Sequence, residues 1–411
     1  MRSNVGNVGL GSSSKNGFRR RTGIGAFVTA AVLAASSTGV MAGAEFKLGE
    51  DSTLSLGLGL RTSFTSTENG ASNGSSYSNA FSAENTRVYM GASLNKYIKT
   101  TFNFDRANGA SSTSGLQMID GIAQFEFTEG FNVWMGRMLP PADRANLYGP
   151  FYTSAWSFPT VASFGVGMNG GVAGRDDGAT VWGNLLDSKF AYSFGAFNGH
   201  NRVAGGSNAG HKLMYTGRVQ YSFLDAETGY YRNATYLGDK NIFTIGGSYQ
   251  SQADGVGVVA RPGNLKISNL DVLYETKTSG GYVPTLEGAY YKYSLGVIDF
   301  NSGETGQPAT PALGSNFNNG GYVSGRSYLG TFALLFPQKV GWGQFQPFVR
   351  YQRLDRDVTQ TSNKATDFGV NYIIKGFNAK ISAVYTKLDD SRLAAATRKS
   401  DQFLLGVQLQ Y

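Results

Sequence analysis

The sequence predicts an all-β fold, a transmembrane antiparallel β-barrel of about 16 strands. Three observations lead there. Segments of about ten residues alternate apolar and polar positions along most of the chain. The links between them alternate mostly short and long, as they do between the two rims of a membrane barrel. The chain closes on Tyr411, which shares one face of an alternating run with Phe403, Leu405, Val407 and Leu409.

Residues 1–44 read as a signal peptide ahead of a barrel at 45–411. A basic stretch ends at Arg19-Arg20-Arg21, a mostly apolar run follows over 24–35, and Ala42-Gly43-Ala44 offers cleavage after Ala44, with Ala42 as a second place. Strands are expected near 52–63, 84–94, 99–107, 115–127, 132–139, 174–185, 189–198, 211–223, 241–251, 265–276, 282–295, 322–336, 344–354, 365–374, 378–389 and 401–411. Links at 95–98, 128–131, 186–188 and 375–377 are short, while 64–83, 140–173, 199–210, 252–264, 296–321 and 390–400 are long. The link at 224–240 breaks the rule, being long where a short turn is due. In the last strand Leu404 is the one apolar residue among Gln402, Gly406, Gln408 and Gln410. A soluble sandwich would show the same alternation; link asymmetry and the aromatic chain end favour the membrane barrel.

Composition agrees. The chain has 56 Gly, 23 Tyr and 27 Phe, a pairing that suits tight turns between strands with broad aromatic faces. Beyond the N-terminal region no run of roughly 18 apolar residues could cross a bilayer as a helix. The net charge of +8 is not a nucleic-acid signal, because five of the 36 basic residues precede residue 44 and no acid does. The remaining 31 face 28 acids, with no basic run to track a phosphate backbone. Catalysis has little to stand on: there are two histidines, His200 and His211, and no cysteine. No catalytic residue, cofactor or metal is expected.

About 16 strands leave an aqueous lumen, and the inward row is polar, which makes a passive channel the expected function. A barrel enzyme, or a structural or adhesive barrel plugged by its loops, are the alternatives. The longest link, 140–173, is the third outer loop and is rich in rings: Tyr148, Phe151, Tyr152, Trp156 and Phe158. Folding into the lumen would bury them and narrow the passage. Alternation assigns Arg87, Arg137, Arg175, Arg218, Arg350 and Lys380 to the inward face. Basic residues there raise local anion concentration, unless the inward acids Asp105, Asp120, Glu126, Asp177 and Asp367 pair with them. Arg137 and Arg144 are the first candidates for the constriction, with Asp143, Tyr148, Tyr152, Arg175, Arg218 and Arg350 beside them.

The run Gly136-Arg137-Met138-Leu139-Pro140-Pro141 entering a long loop, then Arg175-Asp176-Asp177-Gly178, then Phe190-Ala191-Tyr192-Ser193-Phe194-Gly195-Ala196-Phe197-Asn198-Gly199, resembles the phosphate-selective porin O/P family. The aromatic end likewise resembles the C-terminal recognition signal of outer-membrane barrels, with Tyr411 where Phe is usual. The resemblance implies a 16-stranded barrel, usually trimeric, with an inward third loop and a preference for anions such as phosphate. It implies the bacterial outer membrane as location, lipid and lipopolysaccharide as surroundings, and small hydrophilic solutes or anions as cargo.

Overall fold

The computed structural model describes residues 43–106, 115–162, 174–199, 212–258, 261–296, 324–357, 359–395 and 397–411. Nearly all of the segment read as a signal peptide, and both His200 and His211, lie outside the described residues. The strands are β1 (Ala44–Lys47), β2 (Thr53–Thr67), β3 (Ser78–Ser93), β4 (Ile98–Asp105), β5 (Gln117–Thr128), β6 (Phe131–Met138), β7 (Asp176–Leu185), β8 (Phe190–Phe197), β9 (Met214–Ser222), β10 (Ile242–Val258), β11 (Arg261–Glu275), β12 (Val283–Ser294), β13 (Gly325–Leu335), β14 (Lys339–Val340), β15 (Gly343–Arg356), β16 (Ser362–Lys375), β17 (Ala379–Asp390) and β18 (Lys399–Gln410). One helix, α1 (Arg144–Tyr148), stands among the described residues.

Strands adjacent in sequence pair antiparallel, and β18 pairs back onto β2 with Leu405 opposite Phe64, closing the sheet. Two of the eighteen strands add no width. β2 takes β1 along residues 53–56 and β18 along 59–67, so β1 continues the line of β18. β14 likewise lies on β15 beyond the end of β13. Sixteen full strands remain, as the sequence predicts. Closure pairs every full strand on both sides through the middle of the wall, where hydrocarbon would penalise unpaired backbone groups by several kcal/mol each.

The alternation sorts the faces. Leu56, Leu58, Leu60, Phe102, Phe125, Phe194, Leu270, Phe332, Phe368 and Leu405 are exposed on the outer wall, the apolar belt a bilayer requires. Arg61, Gln250, Asn371, Ser382 and Gln408 point inward and are buried. On one rim the links are mostly tight: 94–97, 129–130, 186–189 and 376–378. Leu186, Asp187 and Ser188 all take positive φ in one of these turns.

Two expected links are in part strand instead. Where a loop was expected over 252–264, β10 and β11 run on to Val258 and Arg261. The register slips between Gln252 and Val256, and Gly255, Gly257, Pro262 and Gly263 around the slip give the sequence the composition of a loop. Over 64–83, mostly Ser, Thr and Asn carry the β2–β3 ladder to Thr67 and Ser78, with the Phe64–Phe81 pair as its one large apolar contact.

Candidate constriction in the barrel lumen

The segment after β6 begins with Leu139-Pro140-Pro141, whose prolines cannot extend the strand ladder. Asp143 caps α1 by accepting from the Asn146 amide at 3.1 Å, and all five helical residues are buried. From there to Ala162 the chain lies against the inward rows of the wall. Its carbonyls accept from them: Phe151 from Gln408 Nε2 (3.0 Å), Thr153 from Lys380 Nζ (3.1 Å), Ser154 from Asn371 Nδ2 (2.6 Å), Trp156 from Arg61 (2.5 Å) and Ser157 from Arg350 (2.5 Å). The Val161 carbonyl accepts from Tyr293 Oη at 2.6 Å and Ser327 Oγ at 2.8 Å. The polar inward row thus satisfies loop backbone as well as facing the lumen.

Rings seat the same segment. The Trp156 indole donates to Glu84 at 3.0 Å, stacks under the Arg61 guanidinium at 4.2 Å, and packs with Phe348, Val384 and Leu404. Leu404, the apolar exception in its strand, is therefore half of a loop-to-wall contact. A Cβ on Gly406 would stand 2.6 Å from the indole, so the wall is cut back there to admit the ring.

The link 223–241, on the rim of tight turns, meets this segment. Arg144 donates to both oxygens of Glu227 at 2.7 and 2.6 Å, and to the Asn233 carbonyl at 2.9 Å. The Ala234 amide donates to Tyr152 O at 3.1 Å, the Arg232 amide to Leu147 O at 3.3 Å, and Tyr230 Oη to Leu139 O at 2.7 Å. Tyr230 and Tyr231 pack on Trp134, with Trp182 beside them. Burial alone would push the Glu227 carboxyl up; the Arg144 guanidinium, bonded to it, outweighs burial and brings it down to about 2. Arg232, desolvated and close to Arg218 and Arg144, falls to about 10 although Glu227 opposes the drop.

Most wall arginines are paired. Arg87 meets Asp105 at 2.7 Å, Arg175 meets Asp120 at 3.0 Å, Arg218 meets Asp271 at 2.6 Å and Arg350 meets Asp367 at 2.7 Å. Lys99 holds Glu126 at 2.5 Å. Lys380 is 2% exposed and has no acid within ion-pair distance among the described residues.

Of the residues expected at a constriction, Asp143, Arg144, Tyr148, Arg175, Arg218 and Arg350 are buried in the lumen. Tyr152 is half-buried there, its ring 5.2 Å from that of Phe377. Arg137 is the correction. It lies opposite Gly121 and Asp177 and bonds Asp177 at 2.7 Å, while Trp134 and Met138, which share the other face of the same strand, are buried inward. Its side chain therefore lies on the outer wall. Polarity misassigned the face because the inward residues of β6 are themselves apolar, packed on Tyr230. Arg61, Glu84, Glu227, Arg232 and Asp271 were missed, and only the anomalous length of the 224–240 link signalled any of them.

Residues 313–411 match the phosphate-selective porin O and P family, which supports the resemblance but from a different stretch than the one whose motifs carried it. No curated protein sequence matches the chain. Among solved structures it is similar to the anion-selective porin from Comamonas acidovorans, with 11% identity, 88% of this chain and 100% of that one covered, and a TM-score of 0.54. It is similar to Salmonella typhi OmpF in complex with daunomycin at 13% identity, 90% and 100% coverage and a TM-score of 0.55. The outer membrane channel DcaP of Acinetobacter baumannii gives 10%, 90%, 100% and 0.52. At these identities the likeness is one of fold. The closed barrel, its apolar belt and the match to the porin family place the chain in the bacterial outer membrane.

Proposed function

We propose that the chain is a porin: a passive, non-enzymatic channel for small hydrophilic solutes whose passage is narrowed by residues 139–162 and the link 223–241. The observation that carries the reading is a closed sixteen-strand wall with an apolar outer face and a polar inner one, to which the loop segment is bonded at many points. A preference for anions is part of the proposal. Lys380 supports it, a wall lysine with no acid in ion-pair range among the described residues, whose ammonium bonds the Thr153 carbonyl as Arg61 and Arg350 bond those of Trp156 and Ser157. The mature chain follows a signal peptide and assembles as a homotrimer, as the trimer form of Vibrio cholerae OmpT illustrates for this architecture.

Planar-bilayer recording tests this. Folded, heat-modifiable protein should give stepwise conductance, with a reversal potential in a salt gradient on the anion side. Lys380→Gln should move that potential toward the cation side. Silence from correctly folded protein defeats the channel reading. One observation favours a second reading, a plugged barrel: loop segment and link together bury the inward rows from β5 round to β15. In that case wild type is silent, and a variant with the link shortened between residues 228 and 236 conducts.

A further inference from the structure

On the outer wall, beyond the apolar belt, cations are spread unevenly. Four strands repeat one arrangement. On β12 an outward Tyr290 is followed, one outward position nearer the rim of long loops, by Lys292; β13 has Tyr328 and Arg326, β15 has Tyr351 and Arg353, and β17 has Tyr385 and Lys387. Cross-strand register sets the tyrosines and cations in bands: Tyr290 opposite Tyr328, Lys292 opposite Arg326, and Arg353 opposite Lys364 of β16. Lys364 lies opposite Asp389, which lies opposite Lys399 of β18. Lys266 of β11, also outward and exposed, extends the arc.

Tyrosine girdles mark where a barrel leaves hydrocarbon for headgroups. The cations one step further stand at the level of headgroup phosphates. Acids neutralise only part of the arc. Lys292 pairs with Asp357 at 2.6 Å, Arg353 with Asp355 at 2.8 Å, and Asp389 is held by Arg398 at 2.5 Å. Arg326, Lys364, Lys387 and Lys399 have no ion pair among the described residues. Elsewhere on the wall, outward positions near the same rim include Ser66, Asn79 and Ser251, and Arg137 there is paired with Asp177.

We propose that the outward arc from β11 to β18, centred on Arg326, Lys364, Lys387 and Lys399, binds the phosphate groups of phosphorylated glycolipid in the outer leaflet. The proposal rests on the outer-membrane barrel reading and adds a sided lipid contact to it. Cations near an anionic surface attract it through the poorly screened boundary layer, and several on one rigid wall can engage one multiply phosphorylated headgroup.

The test titrates folded protein in neutral detergent with diphosphoryl lipid A and with its dephosphorylated form, counting bound lipid by native mass spectrometry. Wild type should retain the phosphorylated lipid at least about tenfold more tightly than the dephosphorylated one. Neutralising one cation, as in Lys364→Gln, should weaken binding about fivefold, and neutralising all four about several hundredfold. Lys364→Arg, Lys387→Arg and Lys399→Arg together should keep wild-type binding. Equal retention of the two lipids, or no loss in the fourfold variant, overturns the arc as a phosphate site. Displacement of the lipid by millimolar inorganic phosphate overturns the lipid as its occupant. Heat-modifiable gel mobility of the same samples separates the two levels: its loss sinks the barrel reading, whereas intact mobility with phosphate-independent binding sinks the arc alone.

Discussion

Burying Arg144 against Glu227 removes two charges from water, and the bidentate geometry of 2.7 and 2.6 Å is what offsets that cost. Glu227→Gln leaves Arg144 with Asp271 at 3.7 Å, and Asp271 is already held by Arg218 at 2.6 Å. Breaking such a pair is expected to cost about 3–5 kcal/mol, read as a lower urea midpoint for the barrel refolded in vesicles. Acid should act on the same contact. The folded value of about 2 lies below the ordinary 4.5, so the stabilisation is complete above about 4.5 and lost as pH falls through about 2. The urea midpoint should therefore begin to fall below pH 4.5, and more steeply in wild type than in Glu227→Gln, whereas wild-type conductance, which reports the folded protein, should hold until pH nears about 2. Gly406→Ala reports on the other anchor: its Cβ meets the Trp156 ring at 2.6 Å, so the indole must leave its seat and the conductance level should shift with the wall intact.

The contact between loop segment and link is a joint between two pieces of chain from opposite rims, and it can be locked. Ser154 Oγ stands 3.3 Å from the Ala234 carbonyl, and the chain has no cysteine of its own. Ser154→Cys with Ala234→Cys should cross-link on oxidation. If the link moves while the channel works, oxidation freezes one conductance level and reductant restores fluctuation; identical traces in both states mean that the joint is static. The strands themselves were legible in the sequence, sixteen in the expected order with ends within a few residues for most, because lipid on one side and polar groups on the other impose a strict period of two. Illegible were the places where that cause is absent or masked: the β10–β11 extension past a register slip, the polar top of β2–β3, and β6, whose inward Trp134 made Arg137 look like a lumen residue. The same masking hid Glu227, since a link that folds back into a barrel carries no periodicity at all.

Closure makes the last strand the neighbour of the first, so β18 samples the membrane from rim to rim against a complete wall on both sides. Its outward residues run Asp401, Phe403, Leu405, Val407, Leu409 and Tyr411, a ruler laid across the bilayer. Arginine substituted at each of the four middle positions should cost most at Leu405 and Val407, about 2–4 kcal/mol near the midplane, and about 0–1 kcal/mol where the strand reaches the interfaces. The measurement is urea-dependent folding into vesicles of defined lipid. Thinner bilayers should narrow the profile and lower its peak, because a charge at a given residue then sits closer to water. A soluble sandwich would instead follow the packing around each residue and ignore bilayer thickness. A profile that is level along the strand, or unchanged between thick and thin lipid, would be incompatible with a wall whose outer face meets hydrocarbon.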